Sequence, residues 1–239
     1  MNSPTIQAVI FDLDDTLFDH HHSLQAGLRA IQKNYPALHR HPLADLTHTY
    51  VDLVESLHLQ VLQGLLTIDQ ARVKRIKAFF LKYGHSLSDD QAQAYAVLYR
   101  ETYQSARQPV PGAIALLQHL RADVKTGIIT NNISIEQREK LDACGFTAWL
   151  DVVVISEEVG VIKPDPAIFA IALERLGCPA SAAVMVGDAW KTDILGAHQA
   201  GIKPVWLNRF GAACPDSSIA TTINTLEPAE TIAALLRNQ

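Results

Sequence analysis

Apolar positions follow two different rhythms along this chain. In the second half they form short continuous runs. Ala8-Val9-Ile10-Phe11 near the start, then Thr126–Thr130, Val152–Ile155, Ala183–Gly187 and Pro204–Leu207, read as strands. Continuous rather than alternating runs predict strands covered on both faces. Helical signals fall between them. Ser134-Ile135-Glu136-Gln137 reads as a capping box opening a helix that stops near Gly145. Asp165-Pro166 reads as an N-cap followed by proline at the first helical position, with that helix running to Gly177. A further helix ends near Gly201. Strand–helix alternation of this kind predicts an α/β fold, a parallel sheet with helices on both faces.

From about Asp19 to Gln108 the rhythm is helical throughout. Thr67-Ile68-Asp69-Gln70 and Ser88-Asp89-Asp90-Gln91 are capping-box sequences, each opening an apolar-periodic stretch, one ending near Gly84 and the other near Arg107. The expected organisation is a core from residues 1–18 and 109–239 with an all-helical insertion, four or so helices, over 19–108. Pro109-Val110-Pro111-Gly112 marks the return.

Composition narrows the function classes. With 239 residues, 48% hydrophobic, and charges not gathered in blocks, the chain reads as an ordinary soluble globular protein. A net charge of −5 argues against a nucleic-acid polymer or membrane surface as partner. Met1–Thr5 has neither the basic start nor the apolar stretch of a leader, and no run approaches a membrane span. Cys144, Cys178 and Cys214 have no metal or disulfide spacing, which fits a reducing cytosol and a cytoplasmic location.

The strand ends carry the chemistry. Asp12 and Asp14 follow the first run, two residues apart on extended chain and so on the same side. Close carboxylates repel unless one is protonated or a cation sits between them. The pair therefore reads as nucleophile and proton donor, or as a metal site, or as both. Thr130-Asn131-Asn132 ends the second run, Lys163-Pro164-Asp165-Pro166 follows the third, and Gly187-Asp188, with Asp193 five residues on, ends the fourth. In a parallel sheet these ends share one edge, where ligands bind at a topological switch point. The residue types suit phosphoryl transfer. Asp12 can attack phosphorus, and Asp14 can protonate the leaving alcohol and later deprotonate water. Thr130 Oγ1 and the Asn131 backbone N–H can donate to a phosphoryl oxygen, and Lys163 can bridge nucleophile and phosphate. Asp188 with Asp12 and a backbone carbonyl would make an oxygen-only site suited to Mg²⁺.

These ordered motifs resemble the haloacid dehalogenase superfamily of phosphatases. Asp12-Leu13-Asp14-Asp15-Thr16 matches its Asp-x-Asp-x-Thr motif, and Thr130, Lys163 and Gly187-Asp188 through Asp193 match the other three in order. The resemblance implies a Rossmann-like three-layer core with strand order 5-4-1-2-3. It also implies a helical cap hinged near Phe18-Asp19 and Gln108-Pro109, and a metal site drawn from Asp12, Asp14, Asp188 and Asp193. Ile155–Asp165, Val186–Ala197 and Trp206-Leu207-Asn208-Arg209 are similar to nucleotidase-like and sugar-phosphatase-like members. The implied activity is Mg²⁺-dependent hydrolysis of a small phosphomonoester through an aspartyl-phosphate, by a monomer or homodimer.

Competing readings are set by particular residues. The dehalogenase branch, which attacks carbon, usually lacks an acid two residues after the nucleophile, so Asp14 favours phosphate ester cleavage. A binding protein on a decayed site is disfavoured because the matched positions are all present. Asp193 is as much a support for Lys163 or a bound water as a direct ligand. His20-His21-His22 reads as an exposed exit into the insertion rather than a metal cluster. All six tyrosines lie in the insertion. Tyr95, Tyr99 and Tyr103, on one helical face, read as packing in preference to a stacking wall for substrate.

Overall fold

The structure, a computed structural model, describes residues 5–239 apart from the side chains of His58, Leu59 and Leu62. The leader expectation falls largely on Met1–Pro4, outside the described residues. The chain divides into two compact units, one formed by residues up to Asp19 with Gln108–Gln239, the other by His20–Arg107.

The second unit is helical, with α1 (His20–Asn34), α2 (Leu43–Leu62), α3 (Ile68–Lys82) and α4 (Asp89–Ser105). Both capping boxes form here. The Thr67 hydroxyl accepts from Gln70 N at 3.2 Å while the Gln70 amide oxygen accepts from Thr67 N at 3.0 Å. Ser88 and Gln91 repeat the arrangement at 3.2 and 3.0 Å. Each box satisfies amide groups that a helix start leaves without intrahelical partners. Helix α1 packs on α4 and α2, and α3 packs on α2 and α4. Gly27 allows the close approach of α1 to α4, since a Cβ there would lie 2.6 Å from Tyr99 Cδ2. Tyr99 and Tyr103 are buried, and the Tyr99 ring lies 4.7 Å from that of Tyr50, as the packing reading requires. Tyr95 is half-buried and its hydroxyl donates to the Asn34 carbonyl at 3.2 Å. The three histidines are not an exposed exit but the first turn of α1. Only His22 among them is exposed, and His20 Nδ1 lies 2.8 Å from the Tyr103 hydroxyl.

The first unit holds a parallel sheet of β1 (Ala8–Phe11), β2 (Lys125–Thr130), β3 (Val152–Ile155), β4 (Ala183–Gly187), β5 (Lys203–Leu207) and β6 (Thr221–Ile223), in the order β3-β2-β1-β4-β5-β6. Its first five strands have the anticipated order. β6 was not anticipated, because it is three residues long and only Ile223 of Thr221-Thr222-Ile223 is buried, too little for an apolar run. The connecting helices are α5 (Ala113–Leu120), α6 (Ser134–Ala143), α7 (Ser156–Val159), α8 (Pro166–Leu176), α9 (Leu195–Gln199) and α10 (Ala229–Arg237). On one sheet face Ala8, Ile10, Ile129, Val154 and Met185 pack with Phe169 and Ala172 of α8 and Ala197 of α9. Neighbouring strand residues point the other way, toward the face where α5 packs on β2 and on α10. The result is the three-layer α/β architecture. Truncating a core aromatic such as Phe169 to alanine would cost about 3–5 kcal/mol.

Candidate active site

The site forms where the strand order reverses. β2 and β3 lie to one side of β1 and β4 to the other, which makes the β1 and β4 ends the topological switch point of the sheet, the place where parallel α/β sheets bind ligands. Asp12 continues β1, its backbone N–H donating to Val186 O of β4 at 2.9 Å. Asp188 directly follows β4. Its carboxylate accepts from the Thr16 hydroxyl at 3.4 Å, and its carbonyl accepts from Trp206 Nε1 at 2.8 Å. After Asp188 the chain makes a π-helical turn, Trp190–Ile194, that brings Asp193 back under the strand end. Gly187 permits this, because a Cβ there would lie 2.4 Å from Asp193 Oδ2. π-turns of this kind recur at functional sites.

Lys163 arrives from the loop before α8. Its Nζ lies 2.6 Å from Asp12 Oδ1 and 2.7 Å from Asp193 Oδ1, and the side chain is almost fully buried. Asp193 is engaged on both oxygens, since Oδ2 accepts from Ala189 N at 3.1 Å. Asn131 sets the lysine's backbone. Its side-chain oxygen accepts from Lys163 N at 2.7 Å and its amide donates to Lys163 O at 2.9 Å. The sequence had offered Asn131 through its backbone N–H, and the side-chain clamp was not foreseen.

Asp14 lies in a second network. Both of its oxygens accept from Lys140 Nζ, at 2.6 and 2.9 Å, and Oδ2 also accepts from Gln137 Nε2 at 3.0 Å. The same Gln137 nitrogen donates to Thr130 Oγ1 at 2.5 Å. Gln137 and Lys140 belong to α6 and were missed. The capping box expected at Ser134 does not form, because the helix has Ile133 at its N-cap position without a side-chain cap. Ser134 instead meets Glu157 and Glu158, leaving Gln137 for the site. Arg209, beyond β5, pins the turn after Asp14. It donates to Asp15 O at 3.3 Å and to Asp19 Oδ1 at 3.1 Å. Asp15 has φ of 59°, the left-handed region that is uncommon for non-glycine residues and that Asp and Asn adopt more readily than the others.

Electrostatics mark the same strand ends. Burial pushes the Asp12 carboxyl up to about 7; Lys163 opposes this, while Asp193 adds to it. Burial, then Asp12 and Asp193, hold Asp188 well above the usual carboxylate range. For Lys163 burial acts downward, but the two carboxylates outweigh it and its pKa rises. One oxygen each of Asp12, Asp188 and Asp193 lies within 4.8 Å of the others. Three carboxylates with the Lys163 ammonium among them leave excess negative charge in a buried place. An all-oxygen donor set of this kind fits a hard divalent cation. Asp14, also expected at the metal, is not part of this cluster.

Carboxylates gathered at the switch point of a parallel sheet, with a buried lysine between them, equip a hydrolytic enzyme that works on an anionic group. The chain belongs to the haloacid dehalogenase-like hydrolases, whose family model matches residues 6–201. It is 44% identical over 124 residues to the pyrimidine 5'-nucleotidase YjjG of Escherichia coli, an alignment spanning 51% of this chain and 55% of that one. It is 32% identical over 206 residues to the glyceraldehyde 3-phosphate phosphatase of Methanopyrus kandleri, covering 85% and 84% of the two chains. The solved structure of YfnB from Bacillus subtilis, with magnesium bound, is 24% identical and superposes with a TM-score of 0.74 over 98% of this chain and 99% of that one. At that identity the likeness concerns the fold, and a fold does not choose a reaction.

Proposed function

We propose that this protein is a Mg²⁺-dependent phosphomonoester hydrolase acting on a small phosphorylated metabolite, with nucleoside monophosphates and sugar phosphates the leading substrates. The observation that carries the reading is the pairing of buried Asp12 with Lys163 at 2.6 Å, two residues before an acid that is held separately. A dehalogenase, which expels halide, has no leaving oxygen for a second acid to protonate. The nucleotidase and phosphatase relatives support the same class.

The chemistry follows from placement. An oxygen of Asp12 attacks phosphorus and the bond from phosphorus to the leaving oxygen breaks; Asp14, protonated as the cycle begins, gives that oxygen its proton, releasing the alcohol, and becomes the carboxylate that Lys140 pairs with. Water then attacks the phosphorus of the aspartyl-phosphate and gives a proton to Asp14. The Asp12–phosphorus bond breaks and inorganic phosphate leaves. Thr130 donates to a phosphoryl oxygen, and Lys163 keeps charge balanced between Asp12 and the incoming phosphate. Asp193 and Asn131 hold Lys163 in place. Asp12 and Asp188 would hold Mg²⁺, which screens the nucleophile from the phosphate's charge and stabilises charge on the phosphoryl oxygens.

The test is release of inorganic phosphate from a panel of nucleoside monophosphates, sugar phosphates and phosphoglycolate, with Mg²⁺ and with EDTA. Release with Mg²⁺ and its loss in EDTA are expected. Full activity in EDTA would remove the metal from the account, and no release from any ester would remove the phosphatase.

A further inference from the structure

Helix α6 reaches into the site with two polar residues that no metal or nucleophile role explains. Lys140 is 2% exposed and Gln137 is fully buried. A lysine is almost never enclosed to that degree without a partner, and its enclosure is costly. Here the partner is Asp14, contacted at both oxygens at 2.6 and 2.9 Å. Residues three apart on a helix share a face, so Gln137 meets the same carboxylate and carries the contact on to Thr130 Oγ1 at 2.5 Å. The amide orientation follows from its neighbours. Nε2 serves two acceptors while Gln137 Oε1 is buried with no hydrogen-bond partner among the described residues. Turning the amide over would set that oxygen against the carboxylate.

We infer that Lys140 and Gln137 are positioning residues. They fix the Asp14 carboxyl group at the leaving oxygen, with Lys140 pairing the carboxylate left once the proton is given, and tie it to the hydroxyl that binds the phosphoryl group. This rests on the phosphatase reading above. Lys140 on both oxygens and Gln137 on Oδ2 restrain rotation about the Cβ–Cγ bond of Asp14. A proton-transferring group contributes roughly 10²–10⁴-fold only while it is held in reach. Displacement by about 1 Å costs on the order of 10²-fold. One helix therefore sets the distance between the phosphate-binding hydroxyl and the acid.

The experiment compares two leaving groups in the full chain with Mg²⁺. An alkyl phosphate needs its leaving oxygen protonated, whereas p-nitrophenolate departs as a stable anion. For Lys140→Met, the ratio of kcat/KM for the alkyl ester to that for p-nitrophenyl phosphate is expected to fall about tenfold or more. Gln137→Met should move the ratio the same way by less. The ratio cancels any change in the amount of folded enzyme, which a merely structural role would alter. Equal losses for the two esters in both variants would overturn the proposal and leave the phosphatase intact. A wild-type chain that cleaves neither ester would overturn both.

Discussion

The two units use buried space differently. In the helical unit the interior is aromatic, with Tyr50, Phe79, Phe80 and Tyr99 in edge-on or tilted contact. In the sheet unit the strand ends enclose Asp12, Thr130, Gln137, Lys140, Lys163 and Asp193, all at most 7% exposed. The helical unit needs that interior to hold its helices together. In the sheet unit, burying ionised groups is unfavourable for stability unless each is partnered, and each of these six side chains has a partner named above. Buried charge at the strand ends is what the proposed reaction uses in this chain, and buried tyrosine in the helical unit serves packing.

Two experiments sharpen this contrast. In the sheet unit the folded protein holds the Asp12 carboxyl up to about 7, against an ordinary value of 3.8. The folded state thus binds a proton that the unfolded state releases. In the metal-free protein this group's contribution to stability is present at low pH and is lost as pH rises from about 4 through about 7. A divalent cation competes with that proton, so its benefit runs the opposite way. Mg²⁺ at about 100 times its dissociation constant would add about 2.7 kcal/mol, roughly 5–10 °C in Tm for a chain of this size. Thermal unfolding should show a shift of that order at pH 7.5 and a much smaller one at pH 5.5; equal shifts at both would separate the metal from Asp12. The smaller effect belongs to the helical unit. Tyr99→Phe removes only a hydroxyl from a packed ring and should leave the order of substrate preference in the ester panel unchanged. A reordered panel would give the buried tyrosines a part in recognition.

What the sequence revealed follows the same division. Asp12, Thr130, Lys163 and Asp188 each stand at the end of an apolar run or beside a proline that fixes a helix start, so local pattern pointed to them. Gln137 was hidden by its own spacing, because three residues after Ser134 it mimics a capping box. Only the long-range approach of Asp14 and Thr130 shows that the side chain faces the site. Lys140 had no signal at all, since a lysine in a polar helical stretch reads as solvated until its surroundings are known. For Asn131 the residue was noticed but not the side-chain clamp on Lys163, a contact 32 positions away that no local rule encodes. β6 escaped because pairing with β5, not its own pattern, makes it a strand.

The central claim is that Asp12 is the nucleophile of a phosphate ester hydrolysis. Its most direct test is phosphate release by Asp12→Asn beside the wild-type chain, with Mg²⁺ and the best ester of the panel, and with Tm recorded for both. The account predicts turnover lowered by a factor on the order of 10⁴ or more in a protein that still unfolds cooperatively. Retained turnover in Asp12→Asn would contradict it.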